Sequence, residues 1–67
     1  MQPHQQRVVD EKIQLDDKVS KLGDFIKESS VYRTMNPHDQ QLLNRQHAIM
    51  QDYSQILGQR IDRFTQD

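Results

Sequence analysis

The sequence predicts an all-α fold, a two-helix antiparallel hairpin that assembles with copies of itself into a homo-oligomer. Three observations predict it. Apolar residues recur every seven positions in two separate segments, which is the helical period. The stretch between those segments is short enough to force the helices side by side and in opposite directions. Finally, the chain has 67 residues, of which 33% are hydrophobic and 28% charged, with a mean hydropathy of −1.01. Ordering such a chain costs roughly 1.5 kcal/mol per residue, and a core this small returns little more than that.

The first helix is expected over residues 5–28. Val8, Leu15 and Leu22 form one line at heptad spacing, with Val19 and Ile26 on the adjacent line. Gly23 weakens its last turns by about 1 kcal/mol relative to alanine without breaking them. Ser29 and Ser30 end the pattern. Residues 29–36 form the corner, where Val31, Tyr32 and Met35 are too apolar for a free loop and are expected to fold back onto the hairpin end. The second helix is expected over residues 37–65, and the whole chain is read as a single domain. Asn36 supplies a cap, Pro37 suits the first helical position, and Asp39 favours the positive helix end. Leu43, Met50, Leu57 and Phe64 then keep the heptad, beside a second apolar line of Leu42, Ile49 and Ile56. Gly58 is that helix's weak point. Nothing alternates with the period of a strand.

A short chain with little core is rescued by disulfides, a metal or oligomerisation. There is no cysteine, and His4, His38 and His47 share no ligand spacing, so no metal and no cofactor are expected and assembly is left. The formal net charge is −1, which argues against a nucleic acid polymer as partner. No apolar run reaches membrane-spanning length and residues 1–6 have no signal-peptide core, so no membrane is expected and the chain reads as soluble and cytosolic. Gly-rich phosphate loops, nucleophile elbows and paired carboxylates with an activating neighbour are absent, so no catalysis is expected. His38 beside Asp39 reads as a helix start rather than an acid–base pair. Lys18, Lys21 and Lys27 with Asp16, Asp17 and Asp24 read as a solvated mixed-charge face, the alternative being a lysine that contacts phosphate.

A wheel of the second helix carries the functional argument. With Leu43, Met50, Leu57 and Phe64 at 0°, the line of Leu42, Ile49 and Ile56 falls at about 240°, given about 100° per residue. Gln46, Tyr53 and Arg60 sit between them, at about 300° by the same rotation. A polar column thus runs down an apolar arc wider than one partner helix covers. Polar groups aimed at an interface need partners there. In an antiparallel hairpin turning near residue 32, Arg60 lies level with about residue 5 and Tyr53 with about residue 12, so Arg7 and Glu11 come close to Tyr53 and Arg60. Lys18 falls near Gln46 and His47. The column either fixes helix register and oligomer state or binds a ligand.

The pattern Arg7-Val8-Val9-x-Glu11-Lys12-x-x-Leu15-x-x-Lys18-x-x-Lys21-Leu22-x-x-Phe25-Ile26, followed by Leu43-x-x-Gln46-x-x-x-Met50-x-x-Tyr53-x-x-x-Leu57-x-x-Arg60-Ile61, resembles the bacteriophage anti-CBASS and anti-Thoeris helical hairpin family. The similarity covers residues 7–64. It implies a sponge: a compact oligomer, commonly a hexamer, that sequesters cyclic nucleotide signals of bacterial immunity in the host cytoplasm without cleaving them. The ligands it implies are cyclic dinucleotides, cyclic trinucleotides and cyclic ADP-ribose isomers, held between protomers. Arg60 matches the family's ligand-contacting arginine, and Lys18 or Lys21 with Tyr32 or Phe25 would serve a dinucleotide pocket. The connector is short beside those of longer members, so one class of pocket is expected to be missing or altered. The rival readings are a structural or protein-binding hairpin with no small ligand and, disfavoured by charge, a small transcription accessory factor.

Overall fold

The computed structural model describes residues 1–64 of the chain, which are almost wholly helical and contain no strand. Helix α1 spans Pro3–Glu28, α2 spans Ser30–Thr34 and α3 spans Pro37–Arg63. The expected end of the second helix at residue 65 lies outside the described residues. Cap chemistry explains where each helix starts. The backbone N–H of Gln2 donates to Gln5 Oε1 at 3.0 Å, and Pro3 occupies the first position, where no N–H is needed. Helix α1 therefore begins two residues before the position expected from hydrophobic periodicity, which is silent on caps. Ser29 stops α1 in an extended conformation, and its Oγ accepts from the Val31 N–H at 3.1 Å to start α2. Met35 and Asn36 are extended ahead of Pro37, as a residue preceding proline prefers. Asn36 Oδ1 then accepts from the His38 N–H at 2.8 Å and opens α3.

The corner differs from the expectation in two ways. It is a helical turn rather than an irregular connector, because Ser29 caps it. Val31 is also not folded in: it is 61% exposed, while Tyr32 and Met35 are half-buried. The helix sets the difference: Val31 and Tyr32 are adjacent on the one turn of α2 and point in different directions, so a turn that carries Tyr32 inward leaves Val31 outside.

Helices α1 and α3 pack along a single seam. Cross-contacts link residue 11 to 53, 12 to 54 and 19 to 47, so positions on α3 fall as those on α1 rise. The Cα trace measures 49 × 15 × 14 Å, which leaves no third layer over either broad face. Among the described residues the core is Val8, Leu15 and Leu57, with Val19, Met50, Ile61 and Phe64 packed around it. Leu57 alone is fully buried. The seam also holds polar residues. His47 donates from Nε2 to the Val19 carbonyl at 3.1 Å, which sets its tautomer because a carbonyl only accepts.

Gly23 makes room for that histidine. A Cβ built on Gly23 would lie 3.1 Å from His47 Nε2, so alanine's helix propensity gain of about 1 kcal/mol is offset by the displaced imidazole. Gly23→Ala alone is expected to leave the melting temperature nearly unchanged. In a His47→Ala background the same substitution should raise stability by about 0.5–1 kcal/mol. A double-mutant cycle by thermal denaturation checks this, and equal effects in both backgrounds would refute the clash.

Candidate functional site

The polar column is solvent-facing in the single chain. Gln46, Tyr53 and Arg60 are all exposed, and so is the neighbouring apolar line: Leu42, Ile49 and Ile56 are 50%, 61% and 54% exposed. The wheel's 0° line packs against α1, and the seam continues on its far side through His47, Ser54 and Ile61. Helix α1 thus covers one edge of the arc and leaves the other open. The result is a face on which an apolar stripe runs beside a stripe of hydrogen-bonding groups.

The members of that polar stripe are held to different degrees. Tyr53 donates its phenolic hydrogen to Glu11 Oε2, across the seam. Among the described residues Gln46 finds only Met50 Sδ, one turn further along its own helix at 3.8 Å, which is a weak acceptor. Arg60 lies near enough to Tyr53 to influence its ionisation, and it lines an open hollow of about 300 Å³ with Gln5, Arg63 and Phe64. Here the N-terminus of α1 meets the C-terminus of α3.

The other candidates lie elsewhere. Arg7 and Lys18 are exposed, and neither joins Tyr53 or Gln46 by a hydrogen bond or ion pair. Lys21 is spent on its own helix, with Nζ 2.9 Å from Asp17 Oδ2. Tyr32 stands near the corner, its hydroxyl donating to Asn44 Oδ1 at 3.0 Å and its ring edge-on to Phe25 at a centroid distance of 6.2 Å. Asn44 and Arg60 are sixteen positions apart on α3, or roughly 24 Å at about 1.5 Å per residue. Arg60 and Tyr32 therefore stand at opposite ends, with Tyr53 and Gln46 on α3 between them, and one small ligand on a single chain cannot touch both.

Hydrophobic patterning also missed a polar clasp on the opposite side of the seam. Lys12 Nζ donates to Asp16 Oδ2 at 2.8 Å and to Ser54 Oγ at 3.0 Å, and Ser54 in turn donates to Asp16 Oδ1. The available signal was spacing alone, since Ser54 continues the line of His47 and Ile61.

Both polar ties carry a pH signature. The hydrogen bond from Lys12, followed by that from Ser54, holds the Asp16 carboxyl below its ordinary 3.8. A lowered folded value means stabilisation that is present above about pH 4 and lost as pH falls further. Tyr53 moves the other way. The hydrogen bond to Glu11 comes first, then desolvation and the carboxylate charge, and together they raise it above 10.0 while Arg60 pulls it down. Its contribution is present below pH 10 and lost as pH rises through the raised value. Melting curves across pH should show an acid limb that Asp16→Asn flattens and an alkaline limb that Tyr53→Phe flattens. Unchanged limbs in these variants would refute the assignment.

Among the described residues no group of three His, Cys, Asp or Glu side chains is arranged to hold a metal, and no helix is long and apolar enough to cross a membrane. A protein-family model described as Sequestin matches residues 2–63. Comparison with curated proteins and with solved structures returned no match.

Proposed function

The chain belongs to the Sequestin family, and we propose from that premise that it captures and holds a small ligand rather than transforming it. In its specific form, the proposal is a bacteriophage sponge of the anti-CBASS and anti-Thoeris kind, working in the cytoplasm of the bacterial host. Its ligands are cyclic di- or trinucleotides or cyclic ADP-ribose isomers, and it does not cleave them. The observation that carries the reading is the uncovered face of α3, where Leu42, Ile49 and Ile56 run beside Gln46, Tyr53 and Arg60. Isolated exposed apolar residues are ordinary, but a continuous apolar stripe beside exposed hydrogen-bonding groups suits an interface that also recognises polar groups.

Assembly belongs to the proposal. A homo-oligomer, in its specific form a hexamer, buries the stripe and repeats each half-site by symmetry. It can also bring the Arg60 end of one copy against the Tyr32 and Lys21 end of another, which a single chain holds about 24 Å apart. A ligand with two phosphates then needs only a few cations from each copy, in keeping with a net charge of −1.

Thermal-shift and calorimetric measurements with cyclic dinucleotides, cyclic trinucleotides and cyclic ADP-ribose isomers test the reading. At least one should raise the melting temperature, because a ligand that binds only the folded form stabilises it by mass action. It should be recovered intact after denaturation of the complex. No shift with any of them refutes the sponge, and a stable monomer at micromolar concentration in sedimentation refutes the assembly. The same stripe would serve a protein-binding hairpin, and silence from the nucleotide panel combined with self-association is the result that favours that second reading.

A further inference from the structure

We infer that the hollow between the start of α1 and the end of α3 is an anion subsite, in which Arg60, Arg63 and the side-chain amide of Gln5 hold a phosphate group against Phe64. The inference deepens the sponge reading by naming the ligand group taken at this end of the molecule and a residue, Arg63, that the helical pattern does not single out. Four observations support it.

The first is charge. Arg60 and Arg63 lie in the last turn of α3 and line the same hollow. Among the described residues neither is paired with a carboxylate. Cations at a helix C-terminus are favoured by the macrodipole at about 0.3–1 kcal/mol each, which explains why basic residues stand there. It does not explain why two of them border one concavity with no carboxylate partner among the described residues.

The second is Gln5. Its carboxamide oxygen is taken by the Gln2 N–H at 3.0 Å. The capping bond therefore leaves the NH₂ group, the donating half of the amide, as the part available to a ligand. A residue at this position could have presented an acceptor; the cap ensures that it presents donors, which suit an anion.

The third is the antiparallel packing. It brings the positive end of the α1 macrodipole to the hollow, and the first turn of α1 contains no acidic residue to neutralise it. The partial negative charge at the end of α3 is thus opposed at short range by the start of α1 and by two guanidinium groups.

The fourth is shape and lining. About 300 Å³ is at the lower limit for a small-molecule site; it accommodates a phosphate with part of the group attached to it. The aromatic ring of Phe64 is half-buried and lines the hollow, so an apolar or planar group next to the phosphate has a surface to rest on. Two forked guanidinium groups match phosphate oxygens bidentately, a geometry lysine does not offer.

The test uses the full chain with three probes: adenosine 5′-monophosphate, inorganic pyrophosphate and adenosine. NMR of the arginine side-chain Nε resonances should show Arg60 and Arg63 moving with the two phosphate-bearing probes and staying still with adenosine. Arg45, exposed elsewhere on α3, serves as internal reference. Calorimetry on Arg63→Gln should show affinity for adenosine 5′-monophosphate lowered about tenfold or more, with helical circular dichroism unchanged. Equal movement of Arg45, shifts confined to Arg60, or unaltered affinity of Arg63→Gln would each overturn the inference. The outcome separates from that of the sponge reading. If pyrophosphate moves both arginines while no cyclic nucleotide binds, the subsite stands and the sponge falls. If a cyclic nucleotide binds Arg63→Gln as tightly as the parent chain, the sponge stands and the subsite falls.

Discussion

Leu57→Ala is expected to unfold the isolated chain at room temperature. Leu57 is the one fully buried side chain among the described residues, and it belongs with Val8 and Leu15 to the core against which Val19, Met50, Ile61 and Phe64 pack. Truncating a buried leucine costs about 2–5 kcal/mol, the transfer term plus the cavity left behind. A core of this size rarely supplies more than about 3–5 kcal/mol of net stability. The loss therefore meets or exceeds the reserve, and far-UV circular dichroism should show the helical signal gone or the melting temperature brought down to ambient. Ile49→Ala is the informative control, because Ile49 is 61% exposed on the open face. In a lone chain it should cost under about 0.5 kcal/mol. If copies cover that face, its cost grows with protein concentration, since the interface and the fold are then coupled. A Leu57→Ala chain that stays fully helical at high dilution would show that the seam is not what holds the helices.

The seam was legible in the sequence because one physical rule produced it. Leu43, Met50, Leu57 and Phe64 repeat at seven residues, as do Val8, Leu15 and Leu22, and a helix must turn such a line toward whatever covers it. The parts that could not be read are those hydrophobicity does not encode. His47, beside the apolar arc on the wheel, reads as half-buried and is so, but its hydrogen bond to the Val19 carbonyl is not encoded there. Ser54 sits in the seam through a clasp with Lys12 and Asp16, and a hydropathy pattern counts it against burial. Val31 is apolar yet exposed, since the short helix Ser30–Thr34 takes its direction from the Ser29 cap and not from side-chain polarity. Leu42, Ile49 and Ile56 were legible as a stripe, but a wheel cannot say whether its own hairpin or a second copy covers it.

The candidate site divides along similar lines. Level in an antiparallel pair follows from the turn position, so Glu11 and Tyr53 could be placed together before any coordinates, as could Arg60 and residue 5. Direction could not. Lys18 lies at a suitable height but makes no bond to Gln46 or His47, and Lys21 closes on Asp17, a carboxylate one turn away on its own helix face. Arg63 escaped notice because a basic residue in a last helical turn already has an electrostatic explanation. Only the hollow it shares with Arg60, Gln5 and Phe64 suggests a second use.

Arg60→Ala is expected to weaken ligand binding by about ten- to 150-fold while the oligomer survives. The magnitude follows from losing charge-assisted hydrogen bonds worth about 1.5–3 kcal/mol, at about 1.4 kcal/mol for each tenfold. Survival of the fold follows from exposure. Arg60 stands at the solvent-facing end of α3, and its share in the helix dipole is only about 0.3–1 kcal/mol. A binding loss alone could still arise from a shifted Tyr53, so the variant needs a second readout. Arg60 lowers the ionisation of Tyr53 against the stronger upward pull of Glu11. With Arg60 gone, spectrophotometric titration should find the Tyr53 phenol ionising at higher pH than in the parent chain, which shows the Tyr53–Glu11 tie still closed and the lost charge acting directly. Sedimentation decides the remaining alternative: if Arg60→Ala dissociates the oligomer and leaves no intact assembly to bind, the polar column sets helix register and the ligand reading of Gln46, Tyr53 and Arg60 fails. If the assembly persists, binding falls and the Tyr53 titration moves upward, Arg60 contacts the ligand itself.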